Sequence, residues 1–485
     1  MIFRQTGRRA AGILLMVNRI DRYDTRASRW KYFSSDYRYA FAMLVGLTAF
    51  APPSHSDSPI AQDASKSMHA GPLEFGLQST YIYQHQNSFA APYSPGYNSL
   101  IPSRERSYSF TTTALVAAHL WRGAVLYVNP EAYQSHVLSD LKGLGGPIDA
   151  EQQKGGGANR MTEYIARAFL RQTWNLGGAD VALSPGLTQV TDTVKSHRLV
   201  VSAGRMSITD IFDTSPIAGD PRGNFMNWSF VTYGGFDYAA DLRGYTTGIA
   251  IEYYSDDWAL RYGHFQIPAI PNTPSMDTRL LKAFGEQVEI EHDHKLGDLP
   301  GVVKVLAYRD VGNMGNYTAA VVAGAALGTP PDITTTRSLN TKVGFGIHIE
   351  QSLLPDLSLF MRWSTNNGKY EEASFAEIDR QLQIGLSGSG NRWGRAEDNY
   401  GIAYAINEIS RAHRNYLAAG GLGAFVGDGY LNYRPEDVFE AYYKVALPYH
   451  TQLSFDYQNI ANPGYNSDRH GPVNVFGVRL HFSYF

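Results

Sequence analysis

The chain has 485 residues, 13% of them aromatic and 47 of them glycine, with no cysteine and a formal charge of −3. That length allows several soluble domains or one large closed sheet. The composition suits short strands and tight turns and excludes a disulfide-stapled module, and the near-neutral charge gives no ground for binding nucleic acid.

Residues 1–61 read as an N-terminal extension and signal peptide. Arg29, Lys31 and Arg38 precede an apolar run from Tyr39 to Ala51, and "PPSHSDSPIAQDA" follows, the order of a secretory leader. The run is 13 residues, against roughly 20 for a membrane-spanning helix. A cut after Ser56 or Ala61 is tolerable, whereas Pro52 disfavours one after Ala51; Met16 is an alternative start, and a buried core helix is the alternative reading of the run. Residues 62–72 form a short periplasmic lead-in, and 73–485 form the folded body. For an exported chain, the lack of cysteine avoids mispairing.

From Leu73 onward the chain divides into sixteen segments that alternate apolar with polar or small side chains, the period of strands wetted on one face. They span 73–85, 106–119, 122–134, 161–174, 196–206, 241–254, 257–267 and 285–296, then 300–312, 338–350, 357–368, 378–389, 398–406, 436–446, 449–459 and 473–484. Connections after odd-numbered strands are long and Gly-rich, such as 135–160 and 207–240, while those after even-numbered strands are short, such as 255–256 and 447–448. This is the asymmetry of a transmembrane antiparallel β-barrel with short periplasmic turns and long external loops. The fold expected is therefore all-β, about sixteen strands, in the bacterial outer membrane. Two connections fit less well: 175–195 is too long for a periplasmic turn, and 369–377 is shorter than the other external loops.

Alternation also assigns faces. In "MTEYIARAFLRQTW", Tyr164, Ala166, Ala168 and Leu170 form the apolar face and Glu163, Arg167 and Arg171 the opposite one. Glu252 turns inward between Ile251 and Tyr253, Arg261 between Leu260 and Tyr262, and the short turn sets them up as a cross-strand ion pair. Glu289, Glu291 and Asp293 face inward with Val288 and Ile290 outside. Arg or Lys at the lipid midplane would cost about 2 to 4 kcal/mol, so the inward assignment is the favourable one. The last strand sets Val475, Gly477, Arg479, His481 and Ser483 against Phe476, Val478, Leu480, Phe482 and Tyr484, with Phe485 overhanging the apolar register. A terminal aromatic strand suits the outer-membrane assembly machinery.

Several stretches, in order and with their spacing kept, resemble the carbohydrate-selective porins of the OprB type. They are "YVNPEAYQ", "YIARAFLRQTW", "GRMSITDIFD", "DPRGNFMNWSF", "DYAADLRGYTTGIAIEYY", "WALRYGHFQ", "AYRDVGNMGNY", the segment 413–447 and the closing "FDYQNIANPGYNSDRHGPVNVFGVRLHFSY". The Tyr-Phe ending and the extended N-terminus depart from the family pattern. The resemblance implies a sixteen-stranded outer-membrane barrel through which sugars diffuse inward, with sugars as permeants and outer-membrane lipid around the wall. Monomer and homotrimer are both compatible with the outer face, and no cofactor is expected.

The 207–240 segment is the candidate for a loop folded into the lumen, since it mixes Phe212, Phe225, Trp228 and Phe236 with Asp210, Asp213, Asp220 and Arg222; an external flap is the alternative. The expected constriction comprises Arg167, Arg171, Glu252 and Arg261 from the wall, with Asp220 and Arg222 from the loop. A mixed-sign lumen favours sugar diffusion over export of a polyanionic polysaccharide, and a general ion-selective channel is the other alternative. Glu289 and Glu291 have a spacing usable by a glycosidase, but repeated Glu is ordinary on a lumen face. His292 and His294 share a face without a third metal ligand nearby in sequence. The glycines of "KGGGAN" at 154–159 lack a strand-to-helix context and read as a flexible external loop. No catalytic or metal-binding residue is expected.

Overall fold

A computed structural model describes residues 72–91, 97–155, 159–469 and 471–485. The signal-peptide reading and the lead-in up to residue 71 lie outside these. Sixteen strands follow one another: β1 Leu73–Gln86, β2 Glu105–Trp121, β3 Ala124–His136, β4 Thr162–Leu183, β5 Asp192–Met206, β6 Thr246–Ser255, β7 Trp258–Phe265 and β8 Phe284–Leu296. The second half comprises β9 Leu299–Met314, β10 Ser338–Leu354, β11 Leu357–Asn366, β12 Arg380–Gly390, β13 Arg395–Glu408, β14 Glu436–Leu447, β15 Thr451–Ala461 and β16 Val473–Tyr484. Each pairs antiparallel with its neighbour, and β1 pairs with β16 from Leu77↔Tyr484 to Gln86↔Val475, which closes the barrel. Closure leaves no strand edge to expose backbone donors and acceptors to hydrocarbon. Among the described residues two α-helices, α1 Tyr317–Leu327 and α2 Arg411–Ala418, sit in external loops where the alternation stops.

The outer face is apolar. Ile249, Ile251, Leu260, Val288, Ile290, Val305, Ile384 and Phe476 are all exposed, whereas the alternate positions are buried. Exposed Trp121, Trp174, Trp258, Trp393, Tyr449 and Tyr484 all lie at the short-turn end, an aromatic girdle that marks the periplasmic interface. Phe485 does not join this girdle. A Cβ on Gly76 would meet its ring, so the last side chain turns inward over that glycine on β1.

The two misfitting connections are explained by departures from the simple barrel. The 175–195 link belongs to strands that continue beyond the expected limits: β4 and β5 remain paired out to Leu183↔Asp192, with register shifts between Asn175 and Asp180. The 369–377 loop is short because it runs inward, burying Glu372, Ser374 and Phe375.

The inward loop occupies 207–245, longer than expected because β6 starts at Thr246 rather than 241. Asp241 makes the difference: its carboxylate accepts the backbone N–H groups of Arg243 and Tyr245, forming a tight turn that the apolar pattern does not reveal. Phe212, Phe225, Trp228 and Phe236 are buried in two apolar clusters against the wall. Asp213 fixes the loop to strands β8, β10 and β11 of the wall. Its carboxylate lies 2.7 Å from His348 Nδ1 on β10 and 3.0 Å from Arg362 Nε on β11, and it accepts from Thr232 Oγ1. Its own N–H donates to Glu289 on β8 at 2.7 Å. The residue adopts φ 51°, a conformation Asp tolerates better than most side chains.

Burial alone would raise the Asp213 carboxyl, but Arg362 and His348 hold it down at about 2. The folded value is thus depressed below the ordinary ~3.9. Its contribution is complete above that ordinary value and disappears as pH falls through the folded one. Unfolding in detergent is expected to show a loss of stability between about pH 4 and pH 2 that Asp213→Asn lacks, with the variant less stable at pH 7 by roughly 3 to 5 kcal/mol. An acid limb identical in both proteins would remove Asp213 from the clamp. On the outer wall, Ile251→Lys is expected to cost about 2 to 4 kcal/mol in urea titrations of folding into lipid vesicles. An unchanged midpoint would place that face away from lipid.

Candidate functional site

Two adjoining cavities lie between the inward loop and the wall. The larger, about 440 Å³, is bordered by Arg167, Asp210, Asp220, Arg222, Trp228 and Phe375 among others. The smaller, about 210 Å³, is bordered by Arg171, Glu252, Tyr254 and Arg261. Thr188, Asp210 and Thr214 border both. The six residues expected at the constriction thus divide three and three between two spaces that share part of their lining.

Around the larger cavity, Arg167 on β4 grips Asp210 through two hydrogen bonds of 2.6 Å, and its guanidinium lies 5.3 Å from the Tyr245 ring centre. Arg167 Nη1 has no hydrogen-bond partner among the described residues. Arg222 is held more completely. It donates to Glu131 and Glu151, each at 2.9 Å, and to Thr113 Oγ1 at 3.0 Å. Burial opposes its charge, but Glu151 and Glu131 outweigh that and hold the guanidinium well above its ordinary value. Asp220 is exposed, and one carboxylate oxygen accepts the Arg222 N–H. Arg222 therefore anchors the loop, while Asp220 faces open space beside it.

Around the smaller cavity the charges form a chain across neighbouring strands. Glu252 on β6 is in direct register with Arg261 on β7, and their side chains meet at 3.5 Å. Arg261 Nη1 also lies 2.8 Å from both Glu289 and Glu291 on β8, and Lys304 Nζ on β9 lies 2.8 Å from Glu291. The alternation places Glu289 and Glu291 correctly, and both are engaged by cations. Asp293, further along the same face, is exposed at the periplasmic end instead of being enclosed. Arg171 donates to Ser202 Oγ and to the Thr188 carbonyl.

Some expectations need correction. Glu163 is exposed, and Tyr164 points inward to hydrogen-bond with Glu131. A bulge between β3 and β4, where Asn129 pairs with Arg167 but Pro130 with Ile165, inserts Ala166 and reverses the faces before it. Lys154 is not on a flexible external loop. Residues 150–155 form a turn inside the barrel, and Lys154 lies 3.3 Å from both Glu131 and Glu151; 156–158 lie outside the described residues. His292 stacks on Trp258 at 4.2 Å and His294 lies 3.0 Å from Gln351, so the two rings serve the periplasmic rim. Glu372, Asp379 and His413 form a buried grouping within 4.8 Å, where Lys342 Nζ approaches Glu372 to 3.5 Å and His413 lies 3.3 Å from Asp379. Burial raises the Glu372 carboxyl to about 8 despite that lysine.

Sequence reading missed Glu131, Lys304, His348 and Arg362. All four obey the same alternation, as in "VVKVL" and "FMRW", so extending it to every strand would have found them. Asp210 and Glu151 carry no such signal, because they act from irregular segments.

The model of the carbohydrate-selective porin, OprB family matches residues 113–484. No curated protein sequence matches the chain. Among solved structures, the high-pH form of OprB from Pseudomonas putida is similar with a TM-score of 0.64 at 15% identity, over 85% of this chain and 94% of that one. OccAB1 of Acinetobacter baumannii aligns with a TM-score of 0.45 at 10% identity, over 85% and 96% of the two chains. The closed sixteen-strand wall, its apolar exterior and the family match over most of its length lead to one assignment: the chain belongs to the OprB family of carbohydrate-selective porins of the bacterial outer membrane.

Proposed function

We propose that the barrel admits mono- or small oligosaccharides by passive diffusion, and that Arg167, Arg171, Glu252, Arg261, Asp220 and Arg222 shape its constriction. The observation that carries this reading is the larger cavity. Its volume of about 440 Å³ falls within the ~300 to 1,000 Å³ of small-molecule sites. Trp228, Tyr238 and Phe375 border it together with Arg167, Asp210 and Asp220. A pyranose has the matching surfaces: apolar C–H faces that lie against rings, and hydroxyls that donate to carboxylates and accept from guanidinium. A permeant must be held weakly at successive points, and the second, adjoining cavity supplies the next one.

The lining carries both signs, which disfavours export of a polyanion, a task served by a uniformly basic lumen. No catalysis is proposed: Glu289 and Glu291, the pair with glycosidase spacing, are taken up by Arg261 and Lys304.

Planar-bilayer recordings with and without millimolar glucose test the reading. Sugar is expected to lower the ion current reversibly, and a current indifferent to every sugar tried would remove the carbohydrate claim while leaving a channel. Arg167→Ala combined with Arg171→Ala is expected to weaken that block by about tenfold, the equivalent of one charged hydrogen bond. The same pair should shift the zero-current potential in a salt gradient toward cation selectivity; no change in either quantity would take these residues out of the constriction.

A further inference from the structure

Among the described residues, the β4–β5 connection is the periplasmic turn that does not stay at the rim. Beyond Trp174 the two strands leave the wall, remain paired to Leu183↔Asp192, and bend at two register shifts around Gly177 and Gly178. Both glycines have positive φ, 144° and 84°, so side chains are disfavoured where the ribbon turns. The turn at its end then comes back into the barrel. Asn129 Nδ2 donates to the Leu187 carbonyl at 3.1 Å, Arg171 Nη1 to the Thr188 carbonyl at 2.7 Å, and the Val190 N–H reaches the Tyr127 hydroxyl. Val190 is 3% exposed and packs in the same apolar cluster as Tyr127 and Phe169.

The depth of this return follows from register. Asn129 is opposite Arg167, and Trp174 lies in the girdle seven positions further along β4, roughly 23 Å along the strand at ~3.3 Å per residue. Leu187 therefore reaches the level of Arg167, well inside the periplasmic interface. The turn is also hydrogen-bonded within itself: Gly186 and Gln189 exchange backbone hydrogen bonds, and Gln189 Nε2 donates to the Ser184 carbonyl at 2.7 Å. Thr188 borders both cavities, as do Asp210 and Thr214 from the external loop.

We infer that residues 184–191 form a second, periplasmic constriction, and that Thr188 and Gln189 meet the permeant as it passes from the larger cavity to the smaller. The passage is then bounded from outside by one loop and from inside by another, both anchored by wall side chains. Arg171 is a positioning residue in this arrangement, since one of its donors holds the tip and another holds Ser202. That the permeant is a sugar rests on the function proposed above; the narrowing itself does not.

The absence of cysteine makes the test specific. In the full-length protein reconstituted in planar bilayers, Thr188→Cys treated with a charged methanethiosulfonate is expected to lose conductance by at least about twofold. Ala179→Cys, on the exposed ribbon below the bend, should stay within about 10% of its untreated conductance under the same reagent. Replacing 184–191 by an Asn-Gly turn, which suits a two-residue hairpin, is expected to raise conductance. Unaltered conductance in treated Thr188→Cys, with mass spectrometry confirming modification, would overturn the inference. Lost conductance in a channel that no sugar blocks would uphold it and refute the sugar reading instead.

Discussion

A strand crossing hydrocarbon cannot leave a backbone donor or acceptor unpaired, and this constraint governs the rest of the molecule. It forces the sheet to close through β1 and β16. Closure in turn divides every strand into a lipid side and a lumen side, so charged groups gather within a narrow cylinder and many of them are buried there. Charges in such a place must be matched, because a buried ion without a partner is costly. The chain from Glu252 through Arg261, Glu289, Glu291 and Lys304 is one consequence, and the group around Glu131, Arg222 and Lys154 is another.

These matched groups do more than neutralise one another. Each has a member supplied by the wall and a member or acceptor supplied by an inward segment: Arg167 with Asp210, Arg362 and His348 with Asp213, Lys304 with the Thr214 carbonyl. Electrostatic matching thus sets where the loop lies, and the loop's position sets the shape of both cavities. Residues that look equivalent in composition consequently have different tasks. Arg222 is spent on anchoring, whereas Asp220, two positions earlier, is open to the space that a permeant would enter.

How much of this could be read from the chain depends on how local the determinant is. Strand number, strand faces and the Glu252–Arg261 pair were legible because a dyad repeat is a property of adjacent residues. The reversal at Glu163 and Tyr164 was not, since the bulge at Ala166 adds one residue without any compositional mark. The β4–β5 ribbon was visible only as a length that did not fit, because outside the membrane its faces need not alternate. Of the six constriction candidates all border a cavity, but the partners that restrain Arg167 and Arg222 come from segments whose position depends on closure of the whole barrel. Asp210, Glu151 and the return of residues 184–191 belong to that second category.

The inward loop takes part of its hydrogen bonding from the last strands to be made. Met226 and Asn227 donate to Glu440 on β14, and Arg479 on β16 donates to the carbonyls of Pro221 and Asn224. A nascent barrel lacking its final hairpins would hold a loop with unmet donors and acceptors, and a loop kept outside would leave Glu440 and Arg479 without their ligands. Contacts this distant in sequence carry a large entropic cost until the chain is nearly complete. Sealing of the wall and ordering of its interior are consequently expected to be coupled during biogenesis, since the closing strands supply ligands that the loop needs.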